Sequence, residues 1–289
     1  PFRTRFARSS AAAHFPVRPR LNTMNLQIVP ARAGLKWVRQ GMSTFWRQPL
    51  ALSGLFFLFM ATVAIVSIVP FIGSALALIV LPALTLGMMA ATQTATEGKF
   101  PMPSVLFTAF KAGPHRQAMF HLGGLYALIF LMVMGASALV DGGTFAKVYF
   151  GGQAMTPEVV TTDSFQTALW VSMLFYVPLS MMFWHAPALV HWYGLPAVKS
   201  LFFSFVACWR NLKAFGVYVI AWGVVFMLSG VLALLISSLL GNPGLMTATF
   251  MPLALMVAAM FFSSMLFSVR DCFSTDVYDE PPASADRPD

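Results

Sequence analysis

Six long apolar runs, none containing an Asp, Glu, Lys or Arg, constrain this chain more than any other feature. They fall at about 50–69, 71–91, 121–140, 167–190, 215–240 and 246–268. A helix needs about 20 apolar residues to cross roughly 30 Å of hydrocarbon, and each run is long enough. One such run could be a buried helix of a soluble core, but six in 289 residues could not. Composition agrees, with 58% hydrophobic and 10% charged residues, where soluble domains carry roughly 25% charged. Backbone amides inside lipid must be paired within their own segment, so helices are expected rather than an open sheet. The expected fold is all-α, a polytopic membrane protein with six transmembrane helices.

The charges predict its orientation. The segment before the first run holds Arg3, Arg5, Arg8, Arg18, Arg20, Arg32, Lys36, Arg39 and Arg47. The link between runs two and three adds Lys99, Lys111 and Arg116, and that between four and five adds Lys199, Arg210 and Lys213. Arg270 and Arg287 follow the last run, so only Lys147 of the 18 basic residues falls on the other side. The positive-inside rule then puts both termini in the cytoplasm. The outer links are a tight turn at Pro70, the loop 141–166 and a short turn at 241–245. Asp141, Glu158 and Asp163 read as a solvated acidic loop.

Four stretches divide the chain. Residues 1–23 lack acids and are rich in Arg, Ser and Ala, which suits a mitochondrial transit peptide or a disordered extension upstream of a start at Met24. The well-patterned run from Met24-Asn25-Leu26-Gln27 favours the second reading. Residues 24–49 form a basic amphipathic segment, 50–270 the six-helix transmembrane domain and 271–289 an acidic tail. That tail reads as disordered from its charge and prolines. Cys208 and Cys272 both fall on the cytoplasmic side, so no disulfide framework is implied.

Between Ala31 and Arg47, Leu35, Val38, Met42, Phe45 and Trp46 recur with a helical period, flanked by Arg32, Lys36, Arg39 and Arg47. A helix of this kind suits the headgroup layer, its apolar face in the acyl boundary and its four cations on anionic lipid headgroups. The aromatics speak against nucleic acid as the partner of this stretch. A second interfacial helix is predicted at 198–209, where Val198, Leu201, Phe202, Phe205, Val206 and Trp209 form a stripe, with a shorter counterpart at 104–111. Together these suggest a weak internal repeat with an offset of about 95 residues, which pairs Pro82 with Pro178, Pro101 with Pro196 and Leu106-Phe107 with Leu201-Phe202.

Within the runs, Ala83, Gly87 and Ala91 form a small-residue ridge suited to close helix approach. Pro82, Pro178, Pro187 and Pro252 are expected to kink their helices. The polar group that most invites a functional reading is Phe183-Trp184-His185-Ala186-Pro187-Ala188-Leu189-Val190-His191-Trp192. An intramembrane histidine is a functional candidate until it is explained. Here His185 pairs with Trp192, and Trp184 with His191, seven residues apart on a shared face. The bland reading makes them part of an interfacial aromatic belt; the sharper one makes them polar contacts to a lipophilic ligand. No metal-ligand motif joins them to His115 or His121. Signatures of nucleophilic serine, zinc-dependent or phosphate-cradling enzymes are missing, so no catalytic residue, cofactor or metal is assigned.

Several stretches look familiar: Phe45-Trp46-Arg47-Gln48-Pro49-Leu50, Gly98-Lys99-Phe100-Pro101-Met102-Pro103, Phe183 to Trp192 and Val198-Lys199-Ser200-Leu201-Phe202-Phe203-Ser204. Together they resemble a family of bacterial six-span inner-membrane proteins of unknown function, over about residues 24–273. The resemblance implies the bacterial inner membrane as location and brings no activity with it. Three functions stay open: a non-catalytic protein that organises lipids, a membrane-protein partner or its own oligomer; a small permease or lipid transporter using spans two and four; and an enzyme acting on a lipophile near His185 and His191. The first is favoured, so the protein reads more as a non-enzyme than an enzyme.

Overall fold

A computed structural model describes residues 24–242 and 244–275 of the chain. The readings of residues 1–23 and of the tail beyond 275 lie outside the described residues. The elements run β1 (Met24–Leu26), α1 (Ala33–Arg47), α2 (Pro49–Ser67), α3 (Gly73–Thr96), α4 (Arg116–Asp141), α5 (Thr144–Tyr149) and α6 (Pro157–Val160). Then follow α7 (Asp163–Trp184), α8 (Ala186–Tyr193), α9 (Ala197–Arg210), α10 (Leu212–Leu239), α11 (Gly244–Cys272) and β2 (Phe273–Thr275). The fold is all-α apart from one short antiparallel pair, in which β1 lies on β2 with Leu26 opposite Phe273. Among the described residues six segments are long and apolar enough to cross a membrane: α2, α3, α4, α7 with α8, α10 and α11.

Helix α3 is the axis of the bundle. Its most apolar stretch is 61% buried, against 17% for α10, most of whose aliphatic side chains face outward. Two apolar cores meet on it. One gathers α1, α2, α10 and α11 around Trp37, Phe45, Leu52, Tyr218 and Trp222; the other gathers α4, α7 and α9 around Leu122, Phe130, Leu179 and Leu201. The small ridge on α3 is used as its sequence implies, with Ala83, Gly87 and Ala91 all buried. Without an aqueous solvent to expel, such close van der Waals approach is what holds spanning helices together.

Helix α1 departs from expectation. Its buried residues are Ala33, Gly34, Trp37, Val38, Gly41, Thr44 and Phe45, and they pack on α10 and α11, whereas Leu35 and Trp46 are exposed. Of the expected stripe, Val38 and Phe45 are buried in this contact and Met42 is half-buried, while the face also runs through Trp37 and the small residues Gly34 and Gly41. The physical reason is fit: a Cβ at Gly41 would sit 2.5 Å from the Ser264 Cβ, so glycine allows α1 to lie directly on the α11 backbone. Trp37 then places its indole N–H 2.9 Å from the Asp271 carboxylate. The start of the tail, expected to be disordered from residue 271, is accordingly helical through Cys272 and paired as β2 beyond it.

The counterpart predicted at 104–111 forms two short 3-10 turns, Pro103–Val105 and Thr108–Phe110, rather than a helix. The later copy is the 14-residue α9, so the two halves of the suggested repeat differ where they were thought most alike. In α9 the small residues Ala197, Ser200, Ser204, Ala207 and Cys208 face the protein together with Leu201, while Val198, Phe202 and Trp209 point outward. The acidic loop is also more structured than expected. Gly142 and Gly143 both take left-handed backbone (φ 68° and 90°), a conformation glycine adopts at little cost. They turn the chain back so that α5 lies against α4 and α7. Asp141 fixes the turn by accepting the N–H groups of Gly143 (2.9 Å) and Phe145 (2.6 Å).

Candidate functional site

The fourth span is broken at His185, which separates α7 from α8. Pro82, Pro178 and Pro252 stay inside unbroken helices, whereas Pro187 opens α8. The break has a second cause that lies 19 residues downstream. The Ser204 hydroxyl donates to the Met181 carbonyl (2.8 Å) and accepts the His185 N–H (2.9 Å). In an intact helix that N–H would donate to that carbonyl directly. A side chain inserted into the ladder is a recognised cause of a sharp bend, and proline, lacking an N–H two residues on, prevents the ladder from closing again.

The break redistributes the predicted site residues. His185 is fully buried, its Nδ1 3.7 Å from the Cys208 sulfur and its ring edge-on to Phe215 and Phe273; among the described residues Nε2 has no hydrogen-bond partner. Burial pushes the Cys208 thiol well above its ordinary value, with Cys272 adding to the effect, so Cys208 is a neutral weak donor here. His191 is half-buried on α8, near His115, and Trp192 packs between the two cores. Because the helix stops between 184 and 186, the seven-residue pairings do not run along one continuous face. Trp184 bonds to the Ser268 hydroxyl (3.0 Å) and stacks edge-on against Phe215 and Tyr218. Among the described residues no group of three or more His, Cys, Asp or Glu could hold a metal ion.

Beside the break lies a cavity of about 520 Å³, within the range of about 300–1,000 Å³ usual for small-molecule sites. Phe59 and Met60 of α2, Leu81, Pro82 and Thr85 of α3, and Phe261, Phe262 and Met265 of α11 form one side. Tyr126, Tyr149, Tyr176, Ser180, Phe183, Trp184 and Pro187 form the other. Pro82, Tyr126 and Tyr176 each sit near the middle of their spanning helices. The lining carries no charged residue. The Ser180 and Thr85 hydroxyls are spent on the carbonyls of Val177 and Leu81, and the Trp184 N–H on Ser268. What remains polar is the tyrosine group: Tyr126 and Tyr176 hydrogen-bond to each other, with Tyr149 beside them. Phe130 braces them, 6.0 Å from Tyr126 and 5.4 Å from Tyr149 between ring centres. The site therefore suits a long apolar molecule with at most a weak polar group, and excludes an ion or a charged solute.

No single residue type in the sequence pointed to this cavity. Its lining comes from seven helices, and the one local signal was the trio of prolines 82, 178 and 187, two of which line it. The four cations of the first helix separate: Arg32, Lys36 and Arg39 border a different groove, while Arg47 is exposed at the far end of α1.

The chain is 38% identical over 275 residues to a probable inner membrane protein of Burkholderia thailandensis, in an alignment that covers 91% of this chain and the whole of that protein. No family model matches the chain, and no solved structure does.

Proposed function

The chain belongs to the same family of inner membrane proteins as the Burkholderia thailandensis protein, and from that premise we propose that it is a non-catalytic membrane protein that takes an apolar, membrane-dissolved molecule into the cavity beside His185. The observation that carries the proposal is the cavity's chemistry: about 520 Å³, uncharged, rich in Phe and Met, with a tyrosine group as its polar end. The molecule that fits is a long acyl or prenyl chain. The same cavity serves the permease reading of spans two and four, since both contribute to it. The enzyme reading finds less support, because His185 is sealed between aromatic rings rather than facing this space.

The orientation we propose is N-in and C-in. Six spans return the chain to its starting side, β1 is paired to β2 there, and the basic residues crowd the same links. An impermeant amine reagent applied to intact cells should label Lys147 and spare Lys99 and Lys213; labelling of either of those from outside refutes the orientation. For the cavity, the test is mass spectrometry of lipids that co-purify with the protein. Ser180→Trp should fill the space and strip the bound lipophile, and Tyr126→Phe with Tyr176→Phe should alter which lipophile is retained. Full retention by folded Ser180→Trp would refute the assignment.

A further inference from the structure

A second cavity, of about 800 Å³, lies between the 27–30 segment, α1 and the end of α11. Three of its cations come from one face of α1, Arg32, Lys36 and Arg39, and the fourth, Arg270, comes from α11. A single carboxylate, Asp271, accompanies them, and it is already engaged by the Lys36 ammonium (3.1 Å) and the Trp37 indole N–H (2.9 Å). Arg32, Arg39 and Arg270 make no ion pair among the described residues. Arg32, Arg39 and Arg270 line one groove in which, among the described residues, Asp271 is the single acidic lining residue, while Glu97 acts on Arg270 from outside the lining. A groove so rich in cations is matched by a phosphate, which a guanidinium can engage through paired N–H donors. The walls are fixed in place. Asn211 accepts the Val29 N–H (2.8 Å) and donates to the Gln27 carbonyl (3.1 Å), while the Gln27 N–H donates to the Cys272 carbonyl (2.9 Å). Exposed Ile28 and Leu35 border the same groove, so apolar contact is offered beside the charge.

We propose that this groove binds a phosphate-bearing anionic group, of the kind a phospholipid headgroup or free phosphate presents. The site is independent of the cavity beside His185, shares no lining residue with it, and differs from diffuse surface attraction in depending on Arg32 and Arg39, which line it, and not on Arg47, which does not.

The test uses the full chain in phosphatidylcholine nanodiscs. Binding of phosphatidylglycerol is read by native mass spectrometry and binding of inorganic phosphate by calorimetry. The double variant Arg32→Gln/Arg39→Gln should weaken the bound phosphate group about tenfold or more, the scale of two lost charge-assisted contacts. Arg32→Lys/Arg39→Lys, which keeps the charge, should lose less. Arg47→Gln should cost less than about threefold at physiological salt, since Arg47 does not line the groove and lies two turns of helix or more beyond Arg39, where a charge is largely screened from the bound group. Sensitivity confined to phosphatidylglycerol assigns the site to a headgroup, and the same sensitivity for inorganic phosphate assigns it to the free ion; either supports the proposal. If Arg47→Gln weakens binding as much as the double glutamine variant, or if no variant changes either ligand, the proposal is overturned. Loss of the glutamine pair's binding together with full binding by the lysine pair would reduce the groove to bulk charge and overturn it as well.

Discussion

Replacing Asn211 with Leu should unfasten the 24–32 segment while leaving the helical bundle folded. Asn211 is 2% exposed and its side chain bonds across to residues 27–29, accepting the Val29 N–H at 2.8 Å and donating to the Gln27 carbonyl at 3.1 Å. It also returns a bond to Ala207 on its own side, at 3.0 Å. Each of the two long-range bonds contributes about 0.5–1 kcal/mol net, and a half-buried Val29 N–H deprived of its acceptor adds about 1–2 kcal/mol, giving about 2–4 kcal/mol in all. Leucine is close in volume, so little cavity is created. Hydrogen exchange of the peptide 24–32 in detergent micelles reads the effect, with acceleration of about 30- to 1,000-fold expected for that loss. Peptides from α3 and α11 should keep their protection. If the variant remains folded and 24–32 exchanges as in the parent, the β1–β2 pairing alone holds the segment and the role given to Asn211 is wrong.

Gly41→Ala should destabilise the α1–α11 contact by about 1–3 kcal/mol, the usual range for overpacking, since the new methyl would lie 2.5 Å from the Ser264 Cβ; unchanged denaturation in an SDS titration would contradict it. Ser204→Ala removes both partners supplied to Met181 and His185 and should cost about 1–3 kcal/mol, with Ser204→Thr recovering part of it. The raised Cys208 thiol predicts slow maleimide labelling in native membranes whose rate keeps climbing about tenfold per pH unit up to about pH 10.5, whereas an ordinary thiol with a pKa of about 8.5 levels off above about pH 9.5; a plateau by about pH 10 would contradict it.

The spanning helices were legible because lipid imposes one requirement, length without charge, that can be read residue by residue. Helix α9 was legible in extent from a different signal, the helical spacing of Val198, Leu201, Phe202, Phe205, Val206 and Trp209. Two features were not. The packed face of α1 depends on Trp37, which sequence periodicity left between two stripes, because its partner Asp271 lies 234 residues away. The break at His185 depends on Ser204 reaching into a helix from another element, and nothing local distinguishes that serine from Ser200, whose hydroxyl bonds within its own helix. Of the histidine–tryptophan group, only Trp184 borders the cavity. The tyrosines that supply its polar end lie on three helices and share no motif.

The docking of α1 on α10 and α11 has a consequence for how the protein is made. The ribosome releases α1 early and its binding surface last. About 165 residues separate Arg47 from Leu212, a delay of roughly 10–30 s at ordinary elongation speeds. Throughout that interval Trp37 and Phe45 have no protein to cover them, and the membrane surface or a chaperone must shelter them. Insertion of the final hairpin then closes the molecule like a latch, so that chains arrested before it would leave a sticky, cationic helix without its docking surface.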